Sequence, residues 1–428
     1  MQISEYIFPL PKIISTFLQN FTLFSCIFAL MITQFDDNTW DWIEQHRDCD
    51  TTRLRLATRK NDGMSMDFAI LQIECRRKAA KKLAKTLQNP RFIFPTTLSA
   101  EQCTSDRLAE FHVSLIHAGD QLLDMTSGLG IDVFHLSSKA SSVTAIDIVP
   151  EIAEALAINA TTLKCDNVTA INADSCEYLR NSDAHYDVIF IDPARRGDGG
   201  KRLYALSDCH PNVIELLETI RKRCNRLIIK ASPMIDVSQT IKDLPYITDL
   251  YAIGTRQECK ELVAVVDFNN QPSIPQLHCV TLHSDRETTF SFTQEEENEA
   301  TANYCLPQVG DYIYEPHPAV MKMQPLKLLS SLLGVAKLHP NTHLYISGTP
   351  INDFPGERYT IERIYDFSSK QLKTIAKDYP KASVAVKNFI LTAEELRRRL
   401  KTKESDTHRL IGITACNGNR YILITRHA

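Results

Sequence analysis

Short β-branched runs alternate with helical stretches between residues 121 and 268, and this alternation constrains the fold more than any other feature. Such an order is typical of a parallel sheet that helices cover on both faces, with ligands beyond the carboxyl ends of the strands. The linker "TRQECK" between the last two runs is too short for a crossover helix, so the last strand is expected to be antiparallel. The seven predicted strands are "QLLDM" (121–125), "SVTAIDI" (142–148), "VTAINA" (168–173), "YDVIFID" (186–192), "RLIIKAS" (226–232), "TDLYAIG" (248–254) and "ELVAVVDF" (261–268).

The length of 428 residues exceeds what one hydrophobic core accommodates, so more than one domain is expected. The 48 lysines and arginines nearly balance 52 acidic residues, so the overall charge of −4 indicates neither a nucleic-acid nor a membrane partner. The 12 cysteines are scattered without a C-x-x-C pair, which disfavours both a disulfide framework and a structural zinc site. We therefore expect reduced thiols in a cytoplasmic protein and no metal site.

The N-terminus carries an unbroken apolar run, "FTLFSCIFALMI", at residues 21–32. A membrane-spanning helix needs about 20 such residues, and the segment also lacks the basic region and cleavage site of a signal peptide. We interpret residues 1–30 as a hydrophobic extension and expect the functional chain to begin near Met31, without stable membrane association. A membrane anchor is the alternative interpretation.

A helix is predicted over residues 67–87, because apolar residues recur there at every third or fourth position. We assign it to a helical N-terminal domain at 31–100. The opposite face of this helix is basic, and clustered like charge suits a polyanion, so Arg77, Lys81 and Lys85 are candidate RNA-binding residues. A solvated helix face is the alternative.

The pattern changes after the last predicted strand of the sheet. A polar linker, "NNQPSIPQ", precedes a short strand-rich piece at about 277–292 and then a mixed α/β region. Within that region a capping box at Thr392 to Glu395 predicts the start of a helix. Near the end, Asn417-Gly418 is the residue pair preferred in a type I′ hairpin turn.

The stretch "DMTSGLGID" (124–132) follows the first predicted strand and places Gly128 and Gly130 in the turn to the next helix. Glycines at this point allow a ligand to approach the backbone at a helix N-terminus. A dinucleotide fingerprint would require a third glycine at position 133, where Val133 stands, so NAD and FAD are disfavoured.

Acidic residues follow the first three predicted strands at Asp124, Asp147 and Asp174. Asp147, nineteen residues after Gly128, suits a carboxylate that accepts hydrogen bonds from both ribose hydroxyls of an adenosine. Asp174 is expected near the adenine amino group. Each acid alone is more often a strand-end or helix-cap residue, but all three in register with a glycine turn predict an adenosine site.

These motifs, together with Asp192-Pro193, resemble those of class I S-adenosylmethionine-dependent methyltransferases over residues 101–270. The resemblance implies a Rossmann-like, seven-stranded α/β sheet with an antiparallel last strand, and S-adenosyl-L-methionine as the cofactor. The residues that it implies for cofactor binding are Asp124, Thr126, Gly128, Gly130, Asp132, Asp147, Ile148, Asp174 and Ser175.

More narrowly, the chain is similar to a group of predicted methyltransferases with a ferredoxin-like insert and a C-terminal THUMP-like domain. The segments that carry this similarity are "EQCTSD", "IDPARR", "KASPMID", "ECKEL", "YIYEPHPAVMK", "KLHPNTHLYISG" and "KNFILTAEELRRRLK". The resemblance implies a ferredoxin-like piece at 275–320 and a THUMP-like domain at 321–428. It also implies an RNA substrate rather than DNA, because THUMP domains accompany RNA-modifying enzymes, but neither the kind of RNA nor the oligomeric state follows.

Asp192-Pro193-Ala194-Arg195 matches half of the (Asp/Asn)-Pro-Pro-(aromatic) tetrapeptide of amino-group methyltransferases. In that motif the carboxylate and a proline carbonyl accept the hydrogens of the amine, so Asp192 and Pro193 are candidate acceptor-site residues. A surface turn with a salt-bridged aspartate is the alternative, because Asp-Pro at a strand end is a common turn signal. Arg195 is predicted to stack on a base in place of the aromatic residue. The phosphate-binding candidates on the glycine-rich loop that follows are Arg196, Lys201 and Arg202.

The form Asp-Pro-x-Arg is also similar to a motif of methyltransferases that modify carbon 5 of uracil, which need a cysteine nucleophile after the fifth strand. Lys230-Ala231-Ser232-Pro233 stands there, and Cys224 lies at the other end of the strand, so direct in-line transfer to a nitrogen is favoured. The alternatives left open are a nucleotide-binding oxidoreductase, a non-catalytic RNA-binding protein that retains this fold, and a methyltransferase of a substrate other than RNA.

Overall fold

A computed structural model describes residues 37–57, 66–195, 205–270 and 272–428. The chain divides into two compact units, of which the first comprises Met1–Ile191 with Lys222–Cys224 and the second comprises Asp192–Arg221 with Asn225–Ala428. The extension predicted at 1–30 and the start predicted near Met31 lie outside the described residues. Within the described ranges, no helix has the length and hydropathy that a membrane crossing requires.

The first unit alternates helices and strands after a helical N-terminal part. Its helices are α1 (Asp37–Gln45), α2 (Thr51–Ala57), α3 (Met66–Ala79), α4 (Thr97–Gln102), α5 (Asp106–Ser114), α6 (Ile131–Leu136), α7 (Pro150–Thr162) and α8 (Ser175–Asn181). Its strands are β1 (Gln121–Asp124), β2 (Ser142–Asp147), β3 (Val168–Asn172) and β4 (Tyr186–Ile191).

The strands of the first unit form a parallel sheet in the order β3-β2-β1-β4. Five of the six residues of β4 are buried, as expected for a strand whose two faces are both covered. Asp124 at the end of β1 lies opposite Ala145 of β2, and Asp147 at the end of β2 lies opposite Asn172 of β3. The carboxyl ends of these three strands therefore meet at one edge of the sheet, as the sequence predicted.

The N-terminal helices belong to the same compact unit as this sheet. Ile93, Ala155 and Ile158 form a buried cluster against which Trp40 and Phe68 pack. Helices α1, α3 and α7 therefore share a core. Burial of these apolar side chains is the main favourable term in folding, so this cluster stabilises the packing of the N-terminal helices on α7.

The helix predicted over 67–87 ends earlier, at Ala79, and a 3₁₀ turn follows at Thr86–Gln88. Asp106 accepts hydrogen bonds from the backbone N–H groups of Lys85 and Thr86, at 2.7 and 3.0 Å. These amides are thereby satisfied outside a helix. The contact spans about twenty residues of chain, so local periodicity carries no signal for it.

The strands of the second unit form three paired sets. A two-stranded sheet consists of β5 (Ala194–Arg195) and β6 (Cys209–His210). The strands of the second set are β7 (Cys224–Ala231), β8 (Ile247–Gly254), β9 (Cys259–Asp267), β10 (Gln276–Leu282) and β11 (Glu287–Phe292). Those of the C-terminal sheet are β12 (Tyr312–Pro316), β13 (Ala336–His339), β14 (Thr342–Ser347), β15 (Gly356–Asp366), β16 (Ser383–Lys387), β17 (Arg409–Thr414) and β18 (Arg420–His427). The helices are α9 (Val213–Arg221), α10 (Val237–Asp243), α11 (Gln294–Glu299), α12 (Pro318–Met323), α13 (Leu328–Leu333), α14 (Ser369–Asp378) and α15 (Ala393–Leu400).

Strand β9 lies between β7 and β8 and is antiparallel to both, which confirms the predicted orientation of the last strand. Two further strands extend this sheet, since β10 pairs with β8 in parallel and β11 pairs with β10 antiparallel. We predicted that this strand-rich piece belongs to a separate domain at 275–320, and the pairing with β8 corrects that boundary. The physical reason is the backbone of β10, because Leu277, Cys279 and Val280 are buried on the two faces of this strand and its N–H and C=O groups therefore need a neighbouring strand to hydrogen-bond them.

The C-terminal sheet has the strand order β13-β14-β12-β15-β18-β17-β16. Helices α14 and α15 bury Leu372, Ile375 and Leu396 against Ile422 and Ile424 of β18. The predicted capping box is present at the start of α15, where the side chains of Thr392 and Glu395 each accept a hydrogen bond from the other residue's backbone N–H.

The predicted hairpin forms between β17 and β18, but its turn is not of type I′. A type I′ turn requires positive φ at both central residues, and Gly418 is the one residue of this described loop with positive φ, at +78°. Gly418 N donates to Ala415 O, and Ala415 N donates to Asn419 O, both at 2.9 Å. This arrangement is a turn followed by a left-handed glycine, which lengthens the loop by one residue.

Candidate functional site

Gly128 and Gly130 form the turn between β1 and α6, and both have left-handed backbone angles, with φ of +53° and +86°. A Cβ atom at position 130 would lie 2.1 Å from Leu156 Cδ1 and 2.7 Å from Phe134 Cζ, and both of these side chains are buried. A Cβ atom at position 128 would meet no atom within 4 Å. The packing therefore requires Gly130, whereas Gly128 borders open space from which a ligand can approach the backbone.

The carboxylate of Asp147 is fixed beside this turn by two backbone amides. Gly128 N donates to Asp147 Oδ2 at 3.0 Å, and Val149 N donates to Oδ1 at 2.9 Å. Burial raises the pKa of the Asp147 carboxyl more than these two hydrogen bonds lower it. The next residue, Ile148, is 62% exposed. A partly buried carboxylate and an exposed apolar side chain thus adjoin the glycine turn.

Asp124 and Thr126 shape the start of the turn. Asp124 is 1% exposed, and its Oδ1 accepts a hydrogen bond from Thr126 N at 2.9 Å. Ser127 N donates to Ile146 O at 3.0 Å and so ties the turn to β2. These contacts hold the backbone of the turn in place next to Asp147.

Asp174 and Ser175 lie at the start of α8. Asp174 Oδ1 accepts hydrogen bonds from Cys176 N at 2.8 Å and from Glu177 N at 3.2 Å, so this residue is the N-cap of the helix. Ser175 is buried. Because β3 pairs with β2, both residues lie at the same sheet edge as the glycine turn. The cap fixes one carboxylate oxygen of Asp174 at that edge.

Asp132, a predicted cofactor-binding residue, contacts two side chains of the protein. Thr104 Oγ1 donates to Asp132 Oδ2 at 2.5 Å, and His112 Nδ1 lies 2.7 Å from Oδ1. His112 is fully buried, and Asp132 is 8% exposed. Asp132 therefore links α5 and the "EQCTSD" segment to the start of α6. Sequence reasoning missed Thr104 and His112 as its partners, although the quoted motif contained the first of them.

In the second unit, Asp192 pairs with a residue that sequence reasoning did not assign to the site. Lys230 Nζ lies 2.8 Å from Asp192 Oδ2, and the side chain of Asp192 is 44% exposed while that of Lys230 is 10% exposed. The signal was a lysine inside the apolar run of β7. Pro193 is buried, and Arg195 forms a short antiparallel pair with Cys209 through its backbone. The side chain of Arg195, and the predicted phosphate-binding residues Arg196, Lys201 and Arg202, lie outside what the structure describes.

The basic residues predicted to bind RNA near α3 are mostly engaged within the protein. The guanidinium of Arg77 donates to the carbonyl oxygens of Arg47 and Cys49, and Lys85 Nζ lies 3.2 Å from Glu110 Oε1. Lys81 is exposed. The contacts of Arg77 tie α3 to the loop after α1, and the exposed pair of Lys85 and Glu110 adds little stability. RNA binding by Arg77, Lys81 and Lys85 stays a prediction.

A second basic region lies in the C-terminal domain and was not predicted. Between residues 369 and 407 the sequence has ten lysines and arginines against five acidic residues, although the whole chain is net negative. Lys381 and Lys403 lie side by side in a parallel β-bridge, and both are exposed. Adjacent like charges are unfavourable, so this lysine pair is a candidate for contact with an anion.

Family models match three segments of the chain. A model described as "Conserved hypothetical protein 95" matches residues 91–203, a ferredoxin-like domain matches 312–355, and a THUMP domain-like model matches 356–427. The last two matches have bounds that differ from the predicted 275–320 and 321–428. The crystal structure of a candidate methyltransferase from Porphyromonas gingivalis W83 is 32% identical and covers 92% of this chain and 99% of that one, with a TM-score of 0.84.

The chain therefore belongs to the same methyltransferase family as this Porphyromonas gingivalis protein. Its fold is that of a class I methyltransferase, followed by ferredoxin-like and THUMP-like C-terminal domains. An uncharacterized RNA methyltransferase of Mycoplasma mobile is 32% identical over 92 residues, which cover 22% of this chain and 24% of that protein. The match thus spans about a quarter of that relative.

Proposed function

We propose that the protein is a cytoplasmic methyltransferase that transfers the methyl group of S-adenosylmethionine to a nitrogen of a base in RNA. The observation that carries the proposal is the hydrogen bond between Gly128 N and Asp147 Oδ2, which joins the glycine turn after β1 to the carboxylate after β2. In a methyltransferase, a glycine turn beside such a carboxylate suits the adenosine part of the cofactor. The absence of a side chain at Gly128 leaves space for that adenosine.

The residues at this edge fit the parts of the cofactor. The Asp147 carboxylate accepts hydrogen bonds from the ribose hydroxyls, and its fixed position costs no reorganisation when the ligand arrives. Ile148 offers its exposed aliphatic side chain to a face of the adenine ring, and Asp174 and Ser175 adjoin the edge of the ring. When bound, S-adenosylmethionine supplies an electrophilic methyl group on a sulfonium sulfur. Asp124, Thr126 and Gly130 keep the turn in the shape that admits it.

Asp192 and Pro193 are the proposed acceptor-site residues. The Asp192 carboxylate and the Pro193 carbonyl accept hydrogen bonds from the acceptor nitrogen, which directs its lone pair for in-line attack on the methyl carbon. Such alignment is worth several kcal/mol of barrier, and little acid–base work is needed. The Arg195 guanidinium is proposed to stack on the base, and Arg196, Lys201 and Arg202 to bind phosphates.

RNA is the proposed substrate on two grounds, which are the THUMP-like domain and the basic region of the C-terminal domain. The lysine pair Lys381 and Lys403 lowers its electrostatic repulsion when a phosphate lies nearby. A base within a structured RNA must be unpaired or flipped to reach a pocket, because the acceptor nitrogen is otherwise stacked in the helix.

The test uses the full-length protein and RNA from cells that lack it. We expect heat on titration with S-adenosylmethionine, and transfer of tritium from methyl-labelled cofactor into material that ribonuclease degrades and protease does not. Mass spectrometry of nucleosides should then show an N-methylated base. Absence of cofactor binding would reject the methyltransferase, cofactor binding without labelled RNA would favour another substrate, and methylation of carbon or ribose would reject the nitrogen acceptor.

A further inference from the structure

The ammonium of Lys230 lies at an unusual place for a charge. Lys230 belongs to β7, where it is flanked by the buried residues Ile229 and Ala231 and lies opposite buried Val263 of β9. Only 10% of its side chain is exposed. Burying an unpaired ammonium costs several kcal/mol, and lysine is almost never buried without a partner. An aliphatic residue would pack at this position without that cost, so the presence of a lysine indicates a specific role for its charge.

The partner of Lys230 is the carboxylate of Asp192, with Nζ to Oδ2 at 2.8 Å. The pair is asymmetric, because the side chain of Asp192 is 44% exposed and that of Lys230 is only 10% exposed. An enclosed side chain has few rotamers, and its charge is screened little by solvent. The lysine end of the pair is therefore the fixed one, and the aspartate end is the one that a ligand can meet.

We propose that Lys230 is a positioning residue for methyl transfer, which holds the Asp192 carboxylate in the one orientation that aligns the acceptor. This role rests on the proposed function of Asp192. An exposed aspartate samples several rotamers about two side-chain torsions, and each wrong orientation removes the acceptor nitrogen from its line of attack. A charge-assisted hydrogen bond of 2.8 Å to a rigid donor removes that freedom before the acceptor binds.

The decisive experiment is a double-mutant cycle that compares Lys230→Met, Asp192→Ala and the double variant for methyl transfer to RNA. Methionine keeps the length and apolar stem of lysine without the charge. We expect Lys230→Met to lower kcat by at least about tenfold, the scale of a misplaced reacting group, with cofactor affinity within about twofold of the unmodified protein. In the Asp192→Ala background the same change should cost less than about twofold, because the acceptor group that Lys230 positions is already gone.

Two further variants separate positioning from folding. Lys230→Arg retains a cationic donor and should recover part of the lost kcat, whereas Lys337→Met removes another buried lysine, one that donates to the Pro340 carbonyl, and should leave transfer unchanged. Thermal unfolding of each variant shows whether the fold persists.

Equal losses for Lys230→Met in both backgrounds, or a loss that follows cofactor affinity, would overturn the positioning role and leave a structural ion pair. If Lys230→Met does not fold, Lys230→Arg becomes the test. A Lys230→Arg variant that folds and binds the cofactor normally but transfers no methyl group would also overturn the positioning role. No transfer by the unmodified protein to any RNA would overturn the proposed function itself, and the role of Lys230 with it.

Discussion

Two carboxylates that the proposed function uses, one in each unit, are held by different physical means. In the first unit, backbone amides of Gly128 and Val149 fix the carboxylate of Asp147. In the second unit, the side chain of Lys230 pairs with the carboxylate of Asp192. Backbone donors are set by the local chain conformation, whereas an ion pair needs two side chains from separate segments. The geometry at Asp147 therefore depends on the glycine turn, and the pairing at Asp192 depends on the charge of Lys230.

The largest expected effect is on the free energy of unfolding, and it should differ between the two glycines of the turn. Gly130→Ala should lower the free energy of unfolding by about 1–2 kcal/mol for the left-handed backbone and by about 1–3 kcal/mol more for overpacking against Leu156 and Phe134. Urea unfolding measures this loss, which is a large fraction of the about 5–15 kcal/mol that stabilises a typical domain.

Gly128→Ala is the matched control, because its Cβ meets no atom within 4 Å. It should lose only the backbone term, about 1–2 kcal/mol, yet bind S-adenosylmethionine much more weakly, since its methyl group enters the proposed cofactor space. Equal unfolding curves for the two variants, or undiminished cofactor binding by Gly128→Ala, would contradict the division between a packing glycine and a ligand glycine.

Asp192 gives the next largest effect. Asp192→Ala should retain the fold and most cofactor affinity while methyl transfer falls at least about a hundredfold, because the loss acts on alignment in the transition state. Asp192→Asn should be milder, since its amide oxygen still accepts one hydrogen bond. Filter counting of tritiated methyl groups in RNA measures both. Transfer by the alanine variant at the unmodified rate would make Asp-Pro a simple turn and remove the basis for a nitrogen acceptor.

The contrast between the units also explains what could be predicted from the sequence. The strands, the glycine turn and the acid after each strand follow from local patterns, and Asp124 and Asp147 lie at one sheet edge as predicted. The partners of Asp192 and Asp132 lie 38 and 20–28 residues away along the chain. Periodicity and spacing carry no information about such pairs, because tertiary packing brings them together. The contacts of Asp132 with Thr104 and His112 could therefore not be predicted, and its role in cofactor binding stays a prediction.

The first unit offers a pH test of Asp147. Asp147→Ala should weaken S-adenosylmethionine binding by about 1.5–3 kcal/mol, the range for a hydrogen bond to a charged group. Because burial raises the pKa of this carboxyl, its ionised form is lost on acidification at a higher pH than for an ordinary aspartate, and cofactor affinity should fall there too. The folded protein holds this proton to a higher pH than the unfolded chain does. The free energy of unfolding should therefore decrease as pH rises through the raised pKa of Asp147.

Calorimetric titrations over a pH series measure the affinity, and Asp147→Asn is the control. The asparagine variant should show a weak affinity that is independent of pH in this range. An unchanged affinity of Asp147→Ala would place the ribose acceptor elsewhere.

The smallest expected effect tests whether charge in the second unit meets RNA. Lys381→Glu with Lys403→Glu should weaken binding to total RNA severalfold at low salt. The slope of log affinity against log salt should flatten by about 0.7–0.9 for each phosphate that the variant no longer neutralises. The fold should persist, because both lysines are exposed and two adjacent carboxylates repel one another no more than the two ammonium groups they replace.

Lys85→Glu is the matched control for this pair, since Lys85 already pairs with Glu110, and it should leave the salt slope unchanged. Filter-binding titrations at several salt concentrations compare the two variants. A flattened slope for Lys85→Glu and an unchanged slope for the double variant would reverse the assignment and return RNA binding to the N-terminal helices, where Lys81 remains exposed.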